Sequence, residues 1–238
     1  MLMTRQQSLL LISSAAVAAI SILYFCSYKS SSGKIYTAPQ AKQILDEIYA
    51  DISGFSISPE EREIVESAGG NPTYGEITFE SVEELIKKFS NDLDANGTFF
   101  DLGCGVGKAC AQVALRTPAR AIGVELCPTR HQLAQKAKQE LINRKILTDE
   151  HKLEFREQNI LDADLSSATF IFMCATCFSD DLMQKLADKI AKLHKHLHVA
   201  TLRQLPPSEF GKLEYKETLN LPMTWSANSP VYIYELVA

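Results

Sequence analysis

The chain has 238 residues, 46% of them hydrophobic, and a formal net charge of −5 at pH 7. This length suits one α/β domain with an additional N-terminal segment and allows a substantial hydrophobic core. The acidic balance argues against a general nucleic-acid-binding protein, so no direct nucleic-acid binding is expected, although a basic protein substrate is not excluded.

The cysteines show no spacing typical of a disulfide framework. They are Cys26, Cys104, Cys110, Cys127, Cys174 and Cys177. Most fall in predicted core segments, which favours reduced thiols and a domain that faces a reducing compartment. The Cys-x-x-Cys pair at 174 and 177 also allows zinc or redox chemistry, but neither a second pair nor a convergent histidine accompanies it.

The N-terminal segment contains a long uncharged stretch, residues 9–28, with Arg5 before it and Lys29 and Lys34 after it. About twenty apolar residues match a bilayer-spanning helix. A cleaved signal peptide is the alternative, but its apolar region is usually shorter and ends at a small-residue site. We therefore predict a single-pass membrane anchor in residues 1–29, followed by a serine-rich linker in residues 30–38.

The next segment, residues 39–97, is predicted to form an N-terminal helical region with a loop that covers a ligand. Apolar residues recur at helical spacing over residues 39–52. Ser58, followed by a proline and two glutamates, indicates a second, capped helix. After a Gly-Gly-Asn-Pro break, Tyr74-Gly-Glu-Ile-Thr78 leads into an amphipathic helix over residues 80–89.

A buried strand, a tight turn and a helix start follow in Thr98-Phe-Phe-Asp-Leu-Gly-Cys-Gly-Val-Gly-Lys108. Gly103, Gly105 and Gly107 tolerate positive φ and place no Cβ between the backbone and a ligand. Dinucleotide-binding turns use Gly-x-Gly-x-x-Gly to seat a pyrophosphate. Here Asp101 precedes the first glycine, and its charge would repel phosphate but can hold a cationic amino group.

A second strand, Ala121-Ile-Gly-Val-Glu125, also ends in an acid. A carboxylate at this place in a doubly wound sheet suits the two hydroxyls of a ribose. The glycine turn, with its preceding aspartate, is similar to motif I of the class I S-adenosylmethionine methyltransferases, whose ligand has an α-ammonium group and no phosphate. This resemblance implies S-adenosyl-L-methionine as the cofactor.

The rest of the chain alternates between helices and strands. In chain order we predict a helix at 128–145, strands at 152–156 and 169–173, a helix from Ser179 to about 197, and strands at 199–202, 213–219 and 231–236, the last two joined by a connection at 222–230. This order predicts an α/β fold with a seven-stranded, mostly parallel sheet and an antiparallel C-terminal strand. It matches the class I methyltransferase Rossmann-like fold, here over residues 98–238.

Three histidines alternate near the end of the predicted helix that follows Ser179. They are His194, His196 and His198. On a helix this spacing does not place all three on one face, so a metal site is not favoured. Cationic groups near a helix C-terminus are the simpler interpretation.

Several segments resemble one family, the Dot-one-like, non-SET histone lysine methyltransferases. Tyr74-Gly-Glu-Ile-Thr78 resembles its Tyr-Gly-Glu-Leu loop, which lies over the cofactor, and Asp101-Leu-Gly-Cys-Gly-Val-Gly107 matches its Asp-Leu-Gly-Ser-Gly-Val-Gly. The other similar segments are Phe178-Ser-Asp-Asp-Leu-Met-Gln-Lys-Leu186, Thr224-Trp-Ser and Val231-Tyr-Ile-Tyr. The resemblance spans residues 72–236 and implies a protein lysine N-methyltransferase.

The resemblance also implies how the cofactor is held. Tyr74 and Thr78 would close the loop over it, Asp101 would meet its amino group and Glu125 its ribose. Asn159, where the family usually has aspartate, can still accept a hydrogen bond from the adenine amino group. The complete implied set is Tyr74, Glu76, Thr78, Asp101, Gly103, Gly105, Gly107, Lys108, Glu125, Leu126, Asn159, Ile160 and Cys174.

At the methyl-acceptor end, the resemblance implies that Trp225 and Tyr232 line a narrow channel for a lysine side chain; core packing is the alternative for both. The family places an asparagine beside the methyl donor where this chain has Cys174, and a thiol is a weak hydrogen-bond partner that cannot replace an amide. Thr176 is expected to supply a hydroxyl nearby. The acceptor arrangement is therefore predicted to differ from that of the family.

Other classes of protein share some of these features. Membrane-anchored mitochondrial lysine methyltransferases that modify ATP synthase subunit c have an apolar N-terminal helix, an Asp-x-Gly-x-Gly turn and a similar glutamate, but they lack the Tyr-Gly-Glu loop and the terminal tryptophan and tyrosine. A catalytically silent adaptor could keep the fold and bind a partner at the membrane. A small-molecule acceptor is a further alternative, because loops set the acceptor.

Overall fold

The computed structural model describes residues 33–193 and 196–237. The predicted membrane segment, residues 9–28, lies outside the described residues, as does His194. In the part of the chain that is described, no helix combines the length and the apolar character that a membrane span needs.

Three helices precede the sheet: α1 (Ala38–Ile48), α2 (Pro59–Ser67) and α3 (Phe79–Lys88). The predicted cap of α2 is confirmed. The Ser58 hydroxyl accepts a hydrogen bond from the Glu61 amide, and the Glu61 carboxylate accepts one from the Ser58 amide. Glu61 also accepts a 2.6 Å hydrogen bond from the amide of Thr129. It therefore connects the start of α2 to a helix that follows the second strand.

The sheet contains seven strands, with helices in the connections. They are β1 (Thr98–Leu102), α4 (Lys108–Arg116), β2 (Arg120–Glu125), α5 (Pro128–Asn143), β3 (Leu153–Glu157), β4 (Phe170–Met173), α6 (Asp180–Ala191), β5 (Leu197–Thr201), β6 (Lys212–Met223) and β7 (Ser226–Val237). The strand order is β3-β2-β1-β4-β5-β7-β6. Strands β1 to β5 are parallel, and β7 pairs antiparallel with both β5 and β6. The predicted class I methyltransferase architecture is confirmed.

Alternate residues of the central strands enter two separate cores, one on each face of the sheet. Phe99 and Phe170 pack into the core that includes buried residues of α1, α3, α4 and α5. Phe100 and Ile171, their chain neighbours, pack into the core formed with α6. Because a strand alternates its side chains between two faces, apolar strands covered on both sides by helices are fully buried. Polar residues accumulate instead at the strand ends.

Two predicted boundaries are wrong. Helix α6 ends at Ala191 rather than near residue 197, and β5 already begins at Leu197, where it pairs with both β4 and β7. The pairing of a buried strand outweighs the helical spacing of its apolar residues. His198 is therefore part of β5 and His196 directly precedes it, so neither lies at a helix C-terminus.

The predicted connection at 222–230 is also wrong, because β6 and β7 form a long hairpin whose turn contains only Thr224 and Trp225. Pro230 is paired with Asn220 in this hairpin. The pairing of β5 with β7 ends at Tyr232, so the part of β7 that contains Pro230 has one neighbour. A proline is compatible with such an edge position.

Candidate functional site

A cavity of about 300 Å³ lies at the carboxyl ends of the parallel strands. Asp101 is near the end of β1, Glu125 ends β2 and Cys174 follows β4. Residues 73–77 and Trp225 also line the cavity. This is the edge at which ligands bind in open α/β sheets.

The structure brings most of the predicted site residues together. Those that line the cavity are Tyr74, Glu76, Asp101, Gly103, Gly105, Lys108, Glu125, Leu126, Asn159, Ile160, Cys174, Thr176 and Trp225. Three predicted residues lie elsewhere. Thr78 caps α3 and donates a hydrogen bond to the carbonyl of Pro222, Gly107 packs under the ring of Phe155, and Tyr232 packs into the core beside α6.

Asp101 is a buried ionisable group of the cavity with a strongly raised pKa. It is 4% exposed, and its Oδ1 atom has no hydrogen-bond partner among the described residues. Burial, together with the negative charge of Glu125, raises the pKa of Asp101 to about 8. An unpaired buried carboxyl group costs free energy, which a cationic ligand group would offset. Its position fits the predicted contact with an α-ammonium group.

Backbone amides hold Glu125 in place. Its Oε2 atom accepts a 2.8 Å hydrogen bond from the amide of Gly105, and its Oε1 atom accepts a 2.9 Å bond from the amide of Cys127. Each carboxylate oxygen has a second lone pair. Glu125 can therefore accept further hydrogen bonds from a ligand diol, as predicted for ribose.

The loop around Tyr74 closes onto the glycine turn. The Tyr74 hydroxyl donates a 2.7 Å hydrogen bond to Glu76, and Lys108 forms a 2.8 Å ion pair with the other oxygen of Glu76. Burial raises the pKa of Tyr74, which keeps the phenol a donor. Gly105 has a φ of +58°, and a Cβ there would lie 2.6 Å from the Tyr74 ring. The ring can approach the turn only because this residue is glycine.

The turn of the β6–β7 hairpin supports this loop. The Glu76 amide donates a 3.0 Å hydrogen bond to the Thr224 hydroxyl, and the Thr224 amide donates one of 3.0 Å to the Glu76 carbonyl. The Trp225 ring packs over Gly75, where a Cβ would lie 2.4 Å from the indole. Trp225 is still 47% exposed. It therefore lines the cavity and also faces solvent, as expected for a residue at an entrance.

Arg130 is a cavity residue that the sequence did not indicate. Its guanidinium group is buried and donates hydrogen bonds to the carbonyls of Gly54 and Pro72, at 3.0 and 2.7 Å. It also lies 4.7 Å from the centroid of the Tyr74 ring. Arg130 thus fastens two N-terminal loops to α5. The sequence contained no signal for this role, because both acceptors are backbone carbonyls distant along the chain.

The end of the cavity beside β4 has different chemistry. Cys174 precedes a short 3₁₀ turn, Ala175–Cys177, and burial raises the pKa of its thiol to about 12, so the thiol is neutral. The Thr176 hydroxyl donates a weak hydrogen bond of 3.8 Å to the Cys177 sulfur. The cysteines of the described residues are free thiols, as predicted. Cys174 therefore provides no amide group at the β4 end of the cavity.

Comparison with known proteins adds independent information. The family model "Histone methylation protein DOT1" matches residues 55–224. An H3 lysine-79-specific histone-lysine N-methyltransferase of Yarrowia lipolytica is 27% identical over 172 residues, which cover 69% of this chain and 34% of that protein. Its Drosophila melanogaster counterpart is 25% identical, covering 58% of this chain and 8% of that protein. The chain thus spans about a third or less of these relatives' length.

Solved structures show the same fold at low sequence identity. Magnesium protoporphyrin IX methyltransferase from Synechocystis, solved with bound S-adenosylmethionine, superposes with a TM-score of 0.50 at 13% identity, covering 82% of this chain and 90% of that one. A putative RNA methyltransferase from Pyrococcus horikoshii gives a TM-score of 0.51 at 13% identity, covering 85% and 98%. These similarities concern the fold alone.

Proposed function

The chain belongs to the DOT1 histone methylation family, as the sequence predicted, and on this premise we propose that it transfers a methyl group from S-adenosyl-L-methionine to a lysine side chain of a protein. The observation that carries the proposal is the buried carboxyl group of Asp101, which lies unpaired beside Glu125 in the cavity. The matched family favours a protein acceptor over a small molecule. The family match also argues against the alternative, a membrane-anchored methyltransferase of the kind that modifies ATP synthase subunit c.

The residues present fit the cofactor at three points. Asp101 provides an acceptor for the α-ammonium group, Glu125 has lone pairs left for the ribose hydroxyls, and Asn159 lines the cavity with an amide that can accept from the adenine amino group. The Asn159 oxygen already accepts a 2.9 Å hydrogen bond from the Leu161 amide, which fixes the orientation of its side chain. Asn159 is thus positioned before the ligand arrives.

Bound S-adenosyl-L-methionine supplies an electrophilic methyl group on a sulfonium centre. The residues of the chain bind and position the two reactants, and they exclude water from the site. Trp225 provides an apolar surface at the entrance, where a lysine amine would favour its neutral, nucleophilic form because desolvation lowers its pKa. Holding two reactants in contact can contribute roughly 7–11 kcal/mol to lowering the barrier. The mechanism therefore requires positioning more than a dedicated base.

Two measurements on the purified full-length chain test the proposal. Calorimetry with S-adenosylhomocysteine measures cofactor binding, and transfer of labelled methyl groups to proteins of a cell extract, followed by mass spectrometry of the labelled residues, measures the reaction. We expect binding and labelled lysine, both lost in Asp101→Ala. Binding without labelled protein would favour an adaptor, label only in small molecules would favour another acceptor, and absence of binding would refute the proposal entirely.

We further propose that residues 9–28 anchor the protein in a membrane and that the domain faces a reducing compartment. The uncharged length of this stretch supports the anchor, and the free thiols support the compartment.

Alkaline carbonate extraction of membranes should leave the protein in the pellet. Val17→Arg with Ile20→Arg should release it, because each arginine costs about 2.5–3.5 kcal/mol at the centre of a membrane helix. Ser31→Arg with Ser32→Arg is the matched control and should stay in the pellet; release of the unchanged protein would contradict the anchor.

A further inference from the structure

A second cluster of polar residues lies at the opposite end of the sheet from the cavity. His198 is in β5 and His196 directly precedes that strand. His198 is paired with Phe170, the first residue of β4, whereas Cys174 of the cavity follows the last residue of β4. Residues two apart along extended chain share one face of a sheet, so the two histidines lie side by side. Their rings are 5.2 Å apart, centroid to centroid.

A carboxylate from a different part of the chain completes the cluster. Asp92, in the loop between α3 and β1, places its Oδ2 atom 3.0 Å from Nδ1 of His198. One potential ligand atom from each of Asp92, His196 and His198 lies within 4.8 Å of the other two. In a tetrahedral zinc site with bonds of about 2.0–2.1 Å, neighbouring ligand atoms are roughly 3.3 Å apart. One edge of such a tetrahedron is therefore already close to its final length.

Two of the three residues are held by their surroundings, since the side chains of Asp92 and His198 are only 13% and 21% exposed. The Asp92 carbonyl accepts a 2.5 Å hydrogen bond from the Thr169 hydroxyl, and the Phe89 ring lies 4.9 Å from the His198 ring. The side chain of His196 is 58% exposed and has room to rotate toward them. A rigid pair and one adjustable member can close on an ion with little rearrangement.

The strand beside β5 supplies an orienting carboxylate. Glu235 in β7 lies opposite His198, and its Oε1 atom is 3.1 Å from Nδ1 of His196. Its other oxygen forms a 2.6 Å ion pair with Lys216. A carboxylate that accepts from one ring nitrogen fixes the histidine tautomer and leaves the other nitrogen as a ligand. Glu235 itself is not a member of the group of potential ligands.

We propose that Asp92, His196 and His198 form a binding site for a divalent transition metal ion, with Zn²⁺ the best match to the donor set. Two imidazoles and one carboxylate suit zinc, whereas Mg²⁺ and Ca²⁺ require mainly oxygen ligands. Solvent completes the coordination. The ion connects the loop after α3 to β5, at a distance from the methyl-transfer cavity, and its role is to stabilise the fold.

The test is a titration of untagged, full-length protein, treated first with a chelator, with Zn²⁺ in a calorimeter. We expect one ion per chain and a rise in Tm of roughly 5–10 °C at a hundredfold excess over Kd. His196→Ala and Asp92→Asn should each weaken binding at least tenfold. His151→Ala removes another exposed histidine and should bind like the unchanged protein.

Cysteine ligands are the competing explanation for any zinc that binds. Cobalt(II) bound at the proposed site should show no thiolate-to-cobalt charge-transfer band, and Cys174→Ser with Cys177→Ser should leave the affinity unchanged. The proposal is overturned by the absence of binding, by equal affinity in His196→Ala, or by loss of binding in the cysteine variant.

Discussion

The two ends of the cavity hold their functional groups by different means. At the end formed by β1 and β2, backbone amides of Gly105 and Cys127 fix the Glu125 carboxylate, and the fold itself buries Asp101. At the end beside β4, the groups are side chains with weak hydrogen-bonding ability, such as Cys174. The proposed cofactor contacts are therefore part of the fold, whereas acceptor contacts can change without disturbing it.

The largest effect is expected where the backbone of the cofactor end is altered. Gly105→Ala introduces a Cβ 2.6 Å from the Tyr74 ring at a φ of +58°. We expect the free energy of unfolding to fall by about 2–4 kcal/mol, measured by urea denaturation. Gly33→Ala is the matched control, because its Cβ would meet only atoms at 3.8 Å. Equal loss in both variants would contradict the tight packing of Tyr74 on the turn.

Replacement of Asp101 should lower the affinity for the cofactor product without lowering the stability of the fold. Asp101→Asn should weaken S-adenosylhomocysteine binding about 10–100-fold, because a charge-assisted hydrogen bond is lost. Its fold should not suffer. Since the pKa of Asp101 is raised to about 8, the folded protein retains a proton that the unfolded chain releases above about pH 4, so stability falls as pH rises from about 4 to 8. The variant should therefore have a higher Tm than the unchanged protein at pH 9; a lower one would be inconsistent with an unpaired acid.

The same ionisation should shape the pH dependence of cofactor binding. Asp101, with a pKa of about 8, must ionise to pair with the ammonium group, which lies beside the ligand's own carboxylate and loses its proton only at higher pH. Affinity for S-adenosylhomocysteine should therefore rise with pH up to about 8, by about tenfold per pH unit well below that value. At pH 7, calorimetry in buffers of different ionisation enthalpy should detect the release of nearly one proton. A flat profile from pH 6 to 8 would contradict this.

A smaller effect is expected from Trp225 at the entrance of the cavity, and it should be confined to binding of the methyl acceptor. Trp225→Ala removes a half-exposed aromatic surface and should raise the KM for the protein acceptor roughly 2–10-fold. Trp225→Phe keeps an aromatic ring near Gly75 and should retain most of the affinity. Cofactor affinity should change less than acceptor KM in both variants. The opposite pattern would place Trp225 at the cofactor end.

The smallest effect is a gain of function at the β4 end. Cys174→Asn restores an amide and should increase the rate of protein labelling roughly 2–10-fold, the contribution of one net hydrogen bond. Cys174→Ser is the control, since a hydroxyl is shorter and offers one donor. S-adenosylhomocysteine affinity should stay constant. An unchanged or lower rate in the asparagine variant would contradict the prediction, because it would show that an amide at position 174 does not assist the transfer.

The cofactor end was more predictable than the parts that support it. Asp101 and Glu125 follow apolar strands in a local pattern that strand ends and glycines define, so the sequence indicated both as site residues, and both line the cavity. Thr78 and Tyr232 were transferred by resemblance, and their contacts depend on the register of β6 and β7. Both strands of that hairpin were predicted, but its end, residues 222–230, was predicted as a connection because Pro222 and Pro230 are typical of loops. Arg130 acts through backbone carbonyls, which leave no trace in composition.

The contact between Glu76 and Thr224 joins residues 148 positions apart. During synthesis, the glycine turn and the first strands leave the ribosome long before the hairpin that braces the Tyr74 loop. While Thr224 and Trp225 are still inside the ribosome, the nascent chain contains Asp101 and Glu125 but cannot yet close the Tyr74 loop. The Tyr74 loop can therefore reach its closed position only after the hairpin at residues 212–237 has formed.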